Sequence, residues 1–550
     1  MIKRFIKSRL ILNPDPSKSV ASAAFVITMA GLVSRLLGLF RDRMLASTFG
    51  AGDTLDVYYA AFRIPDLIYN LLILGALSAA FIPVFTSLLT KEKKEEAWKM
   101  AGGVLNLAIL AIAVFSIIFA VFAPWLMKLI TPGFSGEKMQ MVVYFTRIMF
   151  LSPLLLGISG VFGGVLTSLK RFLIYSIAPL LYNVGIIIGI LVFVPLMGPI
   201  GLAWGVVFGA LMHMLTQYPA VRHAGFKIDW NFLLAFKNSD IRKVLRLMLP
   251  RTLGIAVNQV NLVVITIFAS LLSAGSLAIF NFAQGLQGVT LGLFGISFAI
   301  AVFPVLSSAA AREEKNGFIS AFSDTFRQIL FFVIPLSIFI LVLRAQIVRV
   351  VLGSGKFDWE DTILTFQCLG IFSLSLFAQS LVPLLARAFY ALHDTKTPFY
   401  VALVTEIINI SAVVLLIDKY QVLGLAAAFS IASVFQMIAL LFILRTRFPS
   451  LDDRNIIISV SKVAAASFLA GLAVQLTKYQ ITRIPMINLD TFLGVFIQLA
   501  AAGIMGLVFF IGGCYLLQIE EFFRFKASLT RKLFRSRKVI TEDLTEAGGI

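Results

Sequence analysis

The 550 residues are 59% hydrophobic and only 14% charged, with a mean hydropathy of +0.94. A soluble domain averages about 45–50% apolar and about 25% charged residues, so this chain lacks the polar surface to be soluble and reads as an all-α polytopic membrane protein. The net charge of +19 calls for no nucleic acid, because the basic residues lie mostly in short loops between apolar runs, as the positive-inside rule requires.

A membrane span needs about 20 mostly apolar residues. That rule predicts about fourteen helices, centred near Val33, Leu72, Ile112, Leu155, Gly185, Phe208, Val260, Phe294, Ile338, Leu376, Ile410, Val434, Phe468 and Gly506. The basic start "MIKRFIKSRL" lacks a clear apolar core and cleavage site, and reads as a cytoplasmic lead-in. Several spans carry proline (Pro65, Pro153, Pro179, Pro335, Pro383), which membrane helices tolerate. Cys368 and Cys514 both fall in apolar runs, so buried thiols are expected and no disulfide framework.

Connections such as "TKEKKEEAWK", "SLKRF", "AREEKNG" and "HDTKTP" are richer in Lys and Arg than the alternating set that includes "GAGDTLD", "TPGFSGEK", "LLSAGS" and "GSGKFDWED". The first set is therefore assigned to the cytoplasm, together with both termini. The chain also repeats itself. "AFIPVFTSLLTKEKKEEA" is echoed by "AVFPVLSSAAAREEKNGF", which matches Pro83 to Pro304, and a second pair of similar stretches matches Asn183 to Asn409. The offset is nearly constant over six helices, which implies two parallel lobes. The expected division is a lead-in at 1–19, an N-lobe at 20–225, a cytoplasmic linker at 226–240 and a C-lobe at 241–448. Two extra helices follow at 449–518, then a basic amphipathic tail at 519–550 on the cytoplasmic leaflet.

No hydrolytic, metal-binding or P-loop constellation is present; His213, His223 and His393 lack ligand spacing. A transporter is therefore expected in place of an enzyme. Charges inside spans are costly and mark water-filled cavities or partners. In the first span Arg35 and Asp42 project from nearly the same face and Arg41 lies to one side. Arg63 and Asp66 flank Pro65, Arg251 opens the seventh span, Asn281, Gln284 and Gln287 line the eighth, and Arg387 and Glu406 come later. Facing lobes would make of these a cationic chamber suited to an anionic solute, with arginine favoured for phosphate. Arg43 and Arg63 have an alternative reading, snorkelling or pairing with Asp42, Asp56 or Asp66. Arg344 and Arg349 read as interfacial. Asn258, Glu406 and Asn409 are candidates for an ion site or for interhelical hydrogen bonding. Asp53 and Asp56 belong to the rim, in a solvated turn or helix cap.

The stretch "SRLLGLFRDRMLASTFGAGDTLDVYYAAFRIPD…GALSAAFIPVF" resembles the N-terminal signature of the MurJ (MviN) lipid II flippases of the MOP exporter superfamily, and "RAFYALHDTKTP" resembles that family's tenth-helix motif. The resemblance implies a multi-pass protein of the bacterial plasma membrane that moves undecaprenyl-diphosphate-linked peptidoglycan precursor to the outer leaflet by alternating access. It implies substrate contact at Arg35, Arg41 and Asp42, a role for Asp56, a lipid-tail groove formed by the last two helices, no cofactor, and Na+, H+ or the membrane potential as driving force. Beyond the bilayer and the lipid, transient contact with the cell wall synthesis machinery is the partner it allows. The pattern departs at Tyr69, Asn70 and Leu74, where many members carry two arginines and an acid, and at Gly285, where an arginine is usual. Arg251 is the residue expected to restore part of that charge. The alternatives are a flippase for another polyprenyl-diphosphate-linked oligosaccharide and an exporter of the MATE type.

Overall fold

The computed structural model describes residues 20–74, 81–227, 241, 244, 259–528 and 530, and among these it is helical throughout with turns between. Arg251, Asn258, the lead-in and most of the linker and tail lie outside the described residues. The first half contains α1 (Val20–Phe49), α2 (Asp53–Ala61), α3 (Arg63–Tyr69), α4 (Ile82–Thr90), α5 (Lys94–Val121), α6 (Ala123–Ile130), α7 (Gly136–Met149), α8 (Leu151–Ser168), α9 (Phe172–Ile188), α10 (Val194–Met197) and α11 (Gly201–His223). The second half contains α12 (Gln259–Ser270), α13 (Ser276–Thr290), α14 (Ser297–Ala311), α15 (Lys315–Val351), α16 (Trp359–Ala391), α17 (Lys396–Arg447), α18 (Asp453–Ile481) and α19 (Phe492–Leu516).

Nine segments among the described residues are long and apolar enough to cross a membrane. Two of them, Phe172–His223 and Lys396–Arg447, hold 52 residues each. At a helical rise of about 1.5 Å per residue, each is more than twice as long as the bilayer core is thick. The first is interrupted at Gly198, with φ +69°, and the second at Gln421, with φ 49° and ψ −131°. The expected total of about fourteen counts each as two passes. It also adds the charged α1, the interrupted second span and the short α12.

The backbone carries the repeat as well. Helix ends at Glu92 and Glu313 enter the left-handed region with φ 59° and 57°. Each is closed by the same pair of bonds, Lys93 N–H to Leu88 C=O and Glu314 N–H to Ala309 C=O among them. Lys170 and His393 do likewise at φ 59°, with Arg171 N–H on Leu166 C=O and Asp394 N–H on Phe389 C=O. These are C-terminal helix caps that satisfy otherwise orphaned carbonyls, and they recur at the near-constant offset that the sequence repeat predicts.

Contacts divide the chain into two compact units, described separately. The first comprises Met1–Phe282, Val351–Thr365 and Val413–Leu425; the second comprises Ala283–Val350, Phe366–Ala412 and Ala426–Ile550. In the first unit an aromatic core forms around Phe81, Phe85, Phe162 and Phe226, with Trp98 5.4 Å from Phe85. α9 and α11 approach through paired glycines: a Cβ on Gly185 would lie 2.3 Å from Gly209 Cα. In the second unit one core gathers Phe322, Phe389 and Leu440, and another packs α18 and α19 on α15 through Phe339, Ala470 and Phe510. Beside α18 lies an apolar cavity of about 290 Å³, lined by Phe326, Leu330, Phe377, Met437 and Ile456 among others.

The "HDTKTP" turn is a charged clasp. Asp394 accepts from the N–H groups of Lys396 and Thr397 and the Thr397 hydroxyl, and pairs with Arg447. Burial pushes its pKa up, but the Thr397 and Arg447 hydrogen bonds outweigh that and hold it below the usual carboxylate range. A carboxylate depressed in this way contributes stability above about pH 4 that is lost as pH falls through its folded value.

The glycine seam can be tested. Gly185→Leu forces a side chain into backbone, at a cost of about 1–3 kcal/mol, and should lower the thermal midpoint in detergent by several degrees. Gly31→Ala, where nothing lies within 4 Å, should leave it unchanged; equal midpoints for the two variants would refute the seam.

Candidate functional site

Charge in the first unit is organised at three places. At the first, Asp56 in the opening turn of α2 is only 2% exposed. One of its carboxylate oxygens accepts from the Gly275 N–H at 2.8 Å and the other from the Ala278 N–H at 3.1 Å. These donors flank the start of α13, where the helix dipole favours a negative charge. Lys138 of α7 closes the group, 3.1 Å from Asp56 and 2.5 Å from Asp53. Asp56 is thus buried and caps a helix distant in sequence, so of the two expected readings it is a helix cap and not a solvated turn, whereas Asp53 stays exposed. Gly275, at φ +89°, makes the approach possible, since a Cβ there would fall 1.9 Å from Ala51 C=O.

The same end of α1 is held twice more within this unit. Lys356 N–H donates to Ser47 C=O at 2.9 Å, and Asp361 accepts from Ala51 N–H at 2.8 Å. Arg43 donates to Val351 C=O at 3.4 Å, so its guanidinium faces main chain and not lipid.

At the second place, deeper in α1, Arg41 directs Nε and Nη2 at one oxygen of Asp42, 3.0 and 2.7 Å away, and Nη1 at Asn183 Oδ1 of α9 at 3.0 Å. Asn183 in turn donates to Ser34 and Pro179 C=O. Arg41, Asp42 and Asn183 therefore form one hydrogen-bonded set; Arg35 lies on α1 half-buried. At the third, Arg63 is 8% exposed and is held by neutral oxygens, Thr266 Oγ1 at 2.7 Å and Asn281 Oδ1 at 3.3 Å. Among the described residues no carboxylate lies within ion-pair distance of it; Asp66, three residues on, acts on its charge only from beyond that distance.

The remaining predicted residues lie in the second unit. Gln287 is buried and exchanges hydrogen bonds with Gln379 at 3.2 and 3.4 Å; Gln379 reaches Ser375, which reaches Ser430. This is a ladder joining α13, α16 and α17. Gln284 is half-buried, and Arg387 donates to Pro383 C=O on its own helix. Glu406 is 8% exposed and Asn409 fully buried, with both Asn409 amide atoms unpartnered. Sequence reasoning passed over Lys138, Thr266 and Gln379 and used Asn183 only as a repeat marker. The one available signal was Lys138 itself, a cation in "TPGFSGEK" on the face otherwise poor in them.

The capping interaction yields a measurement. A hydrogen bond to a charged group contributes about 1.5–3 kcal/mol, so Asp56→Asn should speed thiol labelling of a cysteine placed at Ser276, 2% exposed, by about tenfold or more. Background is low because Cys368 and Cys514 are buried. An unchanged rate would show that the cap does not hold this end shut.

A family model described as "Lipid II flippase MurJ" matches residues 45–491. The chain is 30% identical over 408 residues to a probable lipid II flippase MurJ of Buchnera aphidicola subsp. Schizaphis graminum, covering 73% of this chain and 79% of the relative. It is 27% identical over 527 residues to a probable lipid II flippase MurJ of Bdellovibrio bacteriovorus, covering 94% and 98%. Among solved structures it is similar to a lipid II flippase MurJ in an inward closed conformation, with TM-score 0.72, 25% identity, and 88% and 98% coverage. An inward-facing multidrug MATE transporter of the MOP superfamily shares the fold, with TM-score 0.66 at 14% identity, over 78% of this chain and 99% of that one. From residue 45 to 491 and in its helical architecture, this chain belongs to the lipid II flippase MurJ family.

Proposed function

We propose that this chain flips lipid II, the lipid-linked peptidoglycan precursor, from the cytoplasmic to the outer leaflet of a bacterial plasma membrane by alternating access, with both termini in the cytoplasm. Family membership supports the substrate and the loop charges support the orientation. The observation that carries the site is Arg63, a buried membrane arginine whose donors rest on the neutral oxygens of Thr266 and Asn281. With Asp66 offsetting its charge only from beyond ion-pair distance, such a residue is costly in a low dielectric and gains from an anion in direct contact. A diphosphate provides one, and the planar guanidinium fork matches its oxygens.

Arg41 and Asp42 serve the same headgroup in a different way. In the arrangement described, Asp42 and Asn183 occupy the Arg41 donors, so an incoming phosphate must compete with a carboxylate. That competition makes binding reversible, which a transporter needs. Arg35 joins Arg41, Asp42 and Arg63 in the proposed substrate set, with Asp53 and Asp56 at the outer rim. Arg251 is proposed to offset the charge missing at Tyr69, Asn70 and Gly285. The lipid tail is assigned to the apolar surface of α18 and α19, and coupling to an ion such as Na+ or H+ is assigned to Glu406 and Asn409.

In bacteria depleted of their own lipid II flippase, the wild-type chain should restore growth. Arg63→Ala and Arg41→Ala should each fail at equal protein levels, with Arg63→Lys intermediate because it keeps charge and loses the fork. Growth supported by both alanine variants would remove these residues from the site. For coupling, flipping in proteoliposomes should respond to an imposed Na+ or proton gradient, and Asn409→Ala should abolish that response; a gradient-independent wild type would reject an ion site.

A further inference from the structure

In the second unit, Arg344 of α15 and Lys478 of α18 are among the cations near the helix ends that the loop charges place away from the cytoplasm; Arg349 is in the last turn of α15. Arg344 lies seven residues before α15 ends at Val351, and Lys478 three before α18 ends at Ile481. Arg344 donates from Nη1 to Leu341 C=O at 2.5 Å, and Lys478 donates from Nζ to Val342 C=O at 3.0 Å. The acceptors are successive carbonyls of one helical turn, so the two positive heads are held side by side. Among the described residues neither has a carboxylate within ion-pair distance.

The stems of both side chains are fixed by neighbouring helices. Arg344 passes over Gly370 of α16, where a Cβ would lie 3.0 Å from its Cδ, and its guanidinium stands 5.7 Å from the Phe366 ring centre. The Lys478 backbone C=O accepts from Gln498 Nε2 of α19 at 3.0 Å, and Gln498 Oε1 accepts from Gln346 Nε2 at 3.0 Å. A snorkelling lysine reaches along its own helix toward water. Lys478 instead turns onto the neighbouring helix, beside another cation. An arginine has five N–H donors and a lysine three, yet each uses one on protein. Two adjacent like charges, both half-buried, repel each other, and an anion seated between them relieves that cost.

We propose that Arg344 and Lys478 form a binding site for the phosphate headgroup of a net-anionic lipid in the outer leaflet, beside the last two helices. The site rests on the membrane orientation and not on which lipid is flipped. Its phosphate has two possible sources, a resident anionic phospholipid and a polyprenyl diphosphate that has just arrived.

Native mass spectrometry of the purified full-length protein in detergent tests this, with phosphatidylglycerol, phosphatidylethanolamine or undecaprenyl diphosphate added. The R344Q/K478Q protein should bind one anionic lipid fewer than wild type, or bind it about tenfold more weakly, as loss of charge-assisted hydrogen bonds implies. Phosphatidylethanolamine binding should not change, and R344K/K478R should bind as wild type. A loss confined to undecaprenyl diphosphate identifies an exit site for the flipped lipid; a loss that includes phosphatidylglycerol identifies a resident phospholipid site. If the double variant does not fold, K478Q alone should weaken anionic lipid binding severalfold. Wild-type binding by R344Q/K478Q, or by K478Q where the double variant is unobtainable, overturns the proposal. Flipping is measured separately: a variant with lost lipid binding and normal flipping keeps the site and separates it from transport.

Discussion

A carboxylate at the mouth of a membrane helix bundle must find hydrogen-bond donors, and Asp56 finds them on a helix remote from it in sequence. Two N–H groups at the start of α13 and the Lys138 ammonium surround it. Each contributor alone is modest. Together they let a charge that hydrocarbon would reject become the tie that holds α2, α7 and the start of α13 in register. The tight turn at Gly275 and the clasp of Ser47 and Ala51 by Lys356 and Asp361 are arranged around that end of the first unit. A charge–dipole contact is also directional and breakable, in contrast to an apolar seam.

The rest of the buried polarity follows the same constraint by different means. Arg63 is satisfied by neutral oxygens, Arg41 by a carboxylate and an amide, and the Gln287–Gln379–Ser375–Ser430 ladder is neutral throughout. Neutral ladders in hydrocarbon act as interhelical adhesive. Charges held only by neutral groups do not, since they raise the energy of the empty protein and lower that of a bound one. Gln287, engaged on both sides of its amide by Gln379, is a neutral tie, whereas Arg63, hydrogen-bonded to neutral oxygens with Asp66 beyond ion-pair distance, is a charge that an anion in contact would still stabilise. In the second unit, Arg327 shows how charge is handled where no ligand is intended: 8% exposed, it is surrounded by Asp324, Glu520 and Glu521, which pin the 520–528 helix to α15.

Much of the architecture was legible beforehand because it rests on local or periodic signals. Spans follow from apolar length, and the repeat that matches Pro83 to Pro304 reappears in the helix caps at Glu92 and Glu313. The site was legible in part. The intramembrane charges Arg41, Asp42 and Arg63 stood out because membrane helices rarely carry them. Their partners did not: Asn183, Thr266 and Lys138 are residue types that occur in any helix or loop, and nothing near them in the chain marks them. For Asp56 the choice between a solvated turn and a helix cap stayed open for a related reason. A motif "GAGDTLD" between two helices has the composition of a solvated turn, and only the arrival of α13 buries it.

The sequence by itself determined that the chain lives in a membrane, that its loops alternate between sets richer and poorer in Lys and Arg, that it is built twice over, and which helix carries the anomalous charge. These depend on transfer free energies and periodicities that each segment carries alone. The tertiary structure decided how that charge is used. Arg41 meets Asn183 across 142 residues, Arg63 meets Thr266 across 203, and Asp56 meets Gly275 across 219. Whether a buried ion is neutralised, merely hydrogen-bonded or left ready for a ligand depends on groups within about 4 Å of it, and in a bundle of long helices those groups come from distant parts of the chain.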